Sequence, residues 1–132
     1  MKYLHTMIRV ANLDRSLHFY CEALGFRLTS REDHAEDKFT LAFLRAEGDS
    51  GDRAPLIELT HNWDTDHYER GNAYGHVAYQ VKSIEDVQAR LKKHGFDLSW
   101  GPGMTPNKKR KMAFIDDPDG YEIELIEYQD ES

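Results

Sequence analysis

Cysteine is almost absent. Cys21 stands alone among 132 residues, which excludes an intrachain disulfide. Basic charge is also short, with 17 Lys and Arg against 24 Asp and Glu and a net charge of −7. Such a surface repels phosphate backbones and anionic lipid, so nucleic-acid and membrane partners are not expected. No apolar run reaches membrane-spanning length, and the first residues pass directly into a strand pattern, so a signal peptide is not expected. The expected location is the cytoplasm. A Ser/His/Asp arrangement and a glycine-rich phosphate loop are both missing.

What is present is a repeat. The first half opens on Leu4-His5-Thr6-Met7-Ile8-Arg9-Val10 and ends its last apolar run on Ile57-Glu58-Leu59. The second opens on Gly75-His76-Val77-Ala78-Tyr79-Gln80-Val81 and ends on Ile123-Glu124-Leu125. Between them Gly25-Phe26 answers Gly95-Phe96, and Ala42-Phe43 answers Ala113-Phe114. The repeats run from about 1–66 and 73–130, within a single expected domain of 1–132. Each is too small to bury a comfortable core alone, so the halves are expected to pack together or with another chain.

Each repeat reads as β-α-β-β-β. Residues 4–10 alternate as a half-buried strand. Asn12 suits the N-cap of a helix with the apolar stripe Leu13, Leu17, Tyr20, Cys21 and Leu24, and Gly25 supplies its left-handed stop. On that stripe Cys21 is expected to be a buried structural thiol. Strands follow near 26–31, 39–45 and 56–61, the last two joined by the polar segment 47–53. In the second repeat Ser83 and Asp86 start a helix with the stripe Ile84, Val87 and Leu91, and Gly95 ends it. Strands are expected near 96–100, 111–115 and 121–127, the last preceded by the turn Asp116-Asp117-Pro118-Asp119-Gly120. The fold class is α+β, two such modules forming an open, cup-shaped, eight-stranded β-barrel-like sheet.

Strand parity then carries chemistry. His5, Met7 and Arg9 share one face, and Glu58, Thr60 and Asn62 lie opposite Ile57 and Leu59. By the same count His76 and Glu124 fall on the polar faces of their strands. A glutamate between Ile and Leu is paired, metal-bound or at an edge, because burying a bare carboxylate is costly. Two histidines and two glutamates at matched positions therefore point to four metal ligands: His5, Glu58, His76 and Glu124. Glu122 and Glu127 are nearby, but only Glu124 answers Glu58 within the shared Ile-Glu-Leu; Glu122 shares its face and is the fallback. Mixed N/O donors without thiolate do not suit a structural zinc site. They suit a catalytic divalent ion such as Ni, Co, Zn, Mn or Fe. Such an ion stabilises an enediolate, and a coordinating glutamate that loosens can serve as base.

These residues carry a resemblance. The paired modules, with His5-Thr6-Met7-Ile8-Arg9-Val10, Glu58-Leu59-Thr60-His61-Asn62-Trp63, Tyr74-Gly75-His76 and Asp117-Pro118-Asp119-Gly120-Tyr121, resemble the glyoxalase I (lactoylglutathione lyase) family of the vicinal oxygen chelate superfamily. The resemblance implies a homodimer with metal at the interface, His5 and Glu58 from one chain and His76 and Glu124 from the other. It implies isomerisation of the methylglyoxal–glutathione hemithioacetal to S-lactoylglutathione, with glutathione as co-substrate. Glu124 would be the base for one enantiomer and Glu58 its counterpart. Nickel is the implied metal, with cobalt or zinc as alternatives. Arg9 and Asn62 would bind the γ-glutamyl end, and Thr60 lies between Glu58 and Asn62 to help. Some members have a thiol-binding arginine just before the third ligand, where this chain has Gly71-Asn72-Ala73. The segment 104–111 replaces the usual glycine-bearing mobile loop, and Lys108 is its candidate for the glycine carboxylate.

Two kinds of rival remain. Another enzyme of the superfamily is one: a metal-dependent epimerase, a ring-cleaving dioxygenase or a fosfomycin-type thiol transferase. The last two patterns use a single glutamate, and an epimerase does not explain Arg9 and Asn62. The other is a metal-free drug-sequestering protein, which needs no quartet. His18, His34, His67 and His94 read as surface residues without partners, and Trp63 and Trp100 as packing or pocket wall.

Overall fold

The computed structural model describes residues 1–128. It divides into two compact units, Met1–Glu69 and the remainder from Arg70 onward, with the boundary inside the connection between the two repeats. The first unit contains β1 (His5–Arg9), α1 (Leu13–Leu17) continuing into a π-helical turn (His18–Ala23), β2 (Arg27–His34), β3 (Phe39–Arg45) and β4 (Leu56–Asn62). The second contains β5 (His76–Val81), α2 (Ile84–Lys93), β6 (Trp100–Met104), β7 (Lys111–Asp116) and β8 (Glu122–Glu127). The β-α-β-β-β module thus occurs twice. The eight strands form two four-stranded mixed sheets, ordered β1-β4-β3-β2 and β5-β8-β7-β6. In each, the first strand runs parallel to the last and the other pairs are antiparallel. No helix among the described residues is long and apolar enough to cross a membrane.

The caps form as the sequence implies. The Asn12 side chain accepts the Arg15 N–H at 3.0 Å, and the Ser83 hydroxyl accepts the Asp86 N–H at 3.1 Å. Gly25 and Gly95 end their helices at φ 83° and 89°, a conformation that glycine adopts without a Cβ penalty. The first helix differs from expectation in its second half. Its π-helical turn buries Phe19, Tyr20 and Ala23, so the buried stripe is Leu13, Ser16, Phe19, Tyr20 and Ala23. Wider winding brings two adjacent aromatics to one side, and their rings meet edge-on at 5.0 Å. Leu17 and Cys21 are consequently only half-buried. The Cys21 thiol is pushed above its ordinary pKa, chiefly by burial and then by the Glu22 charge.

In the first unit the apolar strand face consists of Ile8, Val10, Ala42, Leu44, Ile57 and Leu59, all buried. In the second, Ala113, Ile115, Ile123 and Leu125 are buried, with Ile84 and Leu91 of α2. Full burial of the Val, Ile and Leu side chains among them contributes about 1.5–3 kcal/mol each. Glu127 belongs to the same strand face as Ile123 and Leu125, away from Glu122 and Glu124. Its buried Oε1 accepts the Ile84 N–H at 2.8 Å, and its Oε2 lies 3.9 Å from Lys111 Nζ. This carboxylate is therefore a helix-start anchor.

Strand β6 begins at Trp100 rather than near residue 96. Phe96 closes the preceding helix instead, its N–H bonding to the Leu91 carbonyl at 2.9 Å. The turn before β8 is held by the buried Asp117, whose Oδ1 accepts the Asp119 and Tyr121 N–H groups, each at 2.9 Å.

Candidate metal and substrate site

Register turns the repeat into geometry. In the first sheet Met7 is paired with Glu58 and Arg9 with Thr60 on β1 and β4, while Phe43 of β3 is paired with Glu58. One face therefore carries His5, Arg9, Glu58, Thr60 and Asn62, and the apolar core lies behind it. His5 Nε2 lies 2.9 Å from Glu58 Oε1. In the second sheet His76 Nε2 lies 3.6 Å from Glu124 Oε1. The pairs match in exposure as well, 38% and 13% for His5 and Glu58 against 39% and 16% for His76 and Glu124. Half-exposed imidazoles beside largely covered carboxylates are accessible to an ion without being core groups.

Two residues missed by sequence reasoning complete the pairs, one for each. Phe43 stands edge-on to the His5 ring at 5.6 Å, and Phe114 does the same to His76 at 5.6 Å. The repeated Ala-Phe dipeptide was the available signal: alanine faces the core and phenylalanine braces the imidazole.

The donor set fits a divalent metal. Two N/O ligands about 2.1 Å from one ion lie roughly 3.0 Å apart at a right angle and roughly 3.4 Å apart at a tetrahedral angle. The 2.9 and 3.6 Å pairs have nearly that bite. His76 has a second carboxylate, Glu122, whose Oε1 is 3.7 Å from Nδ1. Because it approaches the opposite ring nitrogen, it does not join the other two at a common point. Among the described residues no three His, Cys, Asp or Glu side chains form a metal-holding group. The structure thus brings together His5 with Glu58, and His76 with Glu124.

The polar residues beyond Glu58 differ from one another. Thr60 is buried and its hydroxyl has no hydrogen-bond partner. A buried hydroxyl without a partner is costly. Asn62 donates from Nδ2 to the Tyr68 hydroxyl at 3.2 Å, which leaves its carbonyl oxygen for other partners. Arg9 is exposed on the same face. Lys108 stands apart from these groups in sequence, in the hairpin turn between β6 and β7. There it adopts φ 60°, and the Thr105 N–H bonds to the Arg110 carbonyl at 2.8 Å. The Thr105 hydroxyl and the Asn107 side chain bond across the same turn. Segment 104–111 is an internally bonded hairpin tip.

The remaining histidines do find neighbours, contrary to the sequence reading. His34 stacks on Phe39 at 4.6 Å, His94 Nδ1 is 3.0 Å from the Arg90 carbonyl, and His67 is 4.0 Å from Glu69. Trp63 is 42% exposed yet donates to the Thr40 hydroxyl at 2.8 Å. Trp100 lies edge-on to Phe114 at 6.0 Å.

Two β-α-β-β-β modules, each presenting a His–Glu pair from its parallel strand pair, define a fold of the glyoxalase kind. The chain belongs to the Glyoxalase/Bleomycin resistance protein/Dioxygenase superfamily, whose family model matches residues 2–125. Within it, a lactoylglutathione lyase of Neisseria meningitidis is 46% identical over 127 residues, covering 96% of this chain and 91% of that protein. Glyoxalase I of Zea mays superposes with a TM-score of 0.89 at 33% identity. That match covers 98% of this chain and 45% of the maize chain, so the present chain spans under half of the maize protein. The trypanothione-dependent glyoxalase I of Leishmania major superposes with a TM-score of 0.79 at 38% identity, covering 96% and 86%.

Proposed function

We propose that the chain is a lactoylglutathione lyase, isomerising the hemithioacetal of methylglyoxal and glutathione to S-lactoylglutathione and so detoxifying methylglyoxal. The observation that carries this reading is the matched His5–Glu58 and His76–Glu124 geometry. Relatives named lactoylglutathione lyase at 41–46% identity supply the substrate. We further propose that the four residues hold one divalent ion, nickel first, with cobalt and zinc as alternatives. As the family resemblance implies, we place that ion in a homodimer, with His5 and Glu58 from one chain and His76 and Glu124 from the other. A cation held by these residues would supply Lewis-acid stabilisation for negative charge developing on the substrate. Glu124 would take the proton from the hemithioacetal carbon and return it to the adjacent carbon, while the hydroxyl proton passes from the oxygen of the first carbon to that of the second, so the product is an isomer of the substrate. Glu58 does the same for the opposite enantiomer. Arg9 pairs with the γ-glutamyl carboxylate, and Asn62 and Thr60 bond the same end. Lys108 is the candidate for the glycine carboxylate. The acidic surface suits a cytoplasmic enzyme with no nucleic-acid or membrane partner.

The direct test is product formation from methylglyoxal and glutathione by the purified protein. S-Lactoylglutathione should accumulate only with both reactants present. Stoichiometric drug binding with no turnover would favour the sequestering alternative.

Thr60 gives a separate test. Thr60→Val replaces a hydroxyl with a methyl of nearly the same shape. Because that hydroxyl is buried without a partner, stability should hold or rise by up to about 1 kcal/mol. KM for the hemithioacetal should rise several-fold with kcat little changed. An unchanged KM removes Thr60 from the binding set.

A further inference from the structure

We propose that Glu122 is a positioning residue for His76, holding the rear of its imidazole so that the front faces the ion shared with Glu124. The inference rests on the metal-site reading above. It starts from a departure from the repeat. His5 is the register partner of Leu56, whereas His76 is the register partner of Glu122. Three other elements around the two histidines are duplicated: the carboxylate at Nε2, the edge-on phenylalanine and the parallel strand pair. Only the second repeat has an acid at the position beside the ring.

The atoms involved assign its role. In both repeats the ring presents Nε2 to the matched glutamate, at 2.9 Å for His5 and 3.6 Å for His76. Nε2 is therefore the metal-facing nitrogen and Nδ1 the rear one. Glu122 Oε1 lies 3.7 Å from Nδ1, an ion-pair separation that a rotation of the half-exposed Glu122 side chain shortens to a hydrogen bond. A carboxylate accepting from Nδ1–H fixes the tautomer that leaves the Nε2 lone pair free, and it makes that nitrogen a better donor. Phe114 restricts rotation from the side. His5 has an aliphatic residue at the corresponding register position, so the two imidazoles are unequal donors in an otherwise symmetric site.

The test uses zinc alone, competed against a chromophoric chelator on the full-length protein. The Nδ1–H proton resonance of His76 is followed in the zinc-loaded form. Glu122→Leu should weaken zinc binding about 10–100-fold and remove a downfield, slowly exchanging Nδ1–H signal present in the wild type. Glu122→Gln keeps an acceptor oxygen and should recover part of both. Wild-type zinc affinity in Glu122→Leu with the signal intact overturns the proposal. A loss as large as that of Glu124→Gln also overturns it, because Glu122 would then be a ligand. Failure of the wild type to take up zinc overturns the metal site itself, and this proposal with it.

Discussion

Glu124→Gln should reduce kcat by about two to four orders of magnitude, the range associated with losing a positioned general base, while the protein folds normally. The substitution preserves shape and the capacity to accept hydrogen bonds. It removes the charge and the ability to take a proton. Glu124 sits between Ile123 and Leu125, each 2% exposed, on a strand paired on both sides. Its backbone is therefore held by the core while its side chain faces away from it. Unchanged far-UV dichroism and melting temperature, beside a collapsed rate of S-lactoylglutathione formation, would support this assignment. A wild-type rate would move the base to another carboxylate. Glu58→Gln should instead act mainly on turnover of the other hemithioacetal enantiomer.

The second large effect is expected at His5. His5→Ala removes one of the four proposed donors and leaves the largely covered Glu58 carboxylate without its partner, so the metal-free protein should lose about 1–3 kcal/mol of stability while still folding. Metal affinity should fall by more than about 100-fold, since changes behind a ligand already cost about 10–100-fold. Activity should fall in parallel and recover partly at raised metal concentration. Full metal content in His5→Ala would remove the first repeat from the site. His76→Ala should also lower metal affinity and activity, since His76 presents Nε2 to Glu124 as His5 does to Glu58.

Much of this was legible from residue order because the two relevant signals are local. Alternation along Ile57-Glu58-Leu59 and Ile123-Glu124-Leu125 places the acids opposite the core regardless of how distant elements pack. The caps at Asn12 and Ser83 depend on bonds spanning three residues, and both form. The repeat removed an ambiguity that parity alone leaves, since Glu122 and Glu124 share a face. Features set by nonlocal packing were less legible. The π-helical turn moves the buried stripe from Leu17 and Cys21 onto Ser16, Phe19 and Ala23, a choice made by ring packing against Tyr20 and Phe26. Phe96 reads as the start of a strand, but its N–H is consumed by the helix end. The bracing of His5 by Phe43 needs the β3–β4 register, as does the pairing of His76 with Glu122 across β5 and β8. Neither register is written in spacing along the chain.

The central claim is that a divalent ion held by the two His–Glu pairs is required for hemithioacetal isomerisation. It is tested most directly by assaying chelator-stripped protein before and after adding back nickel, cobalt or zinc. The account predicts near-zero turnover in the stripped protein and recovery with about one ion per set of four ligands, greatest with nickel. Full activity in the stripped protein, or none with any of the three metals, would contradict it.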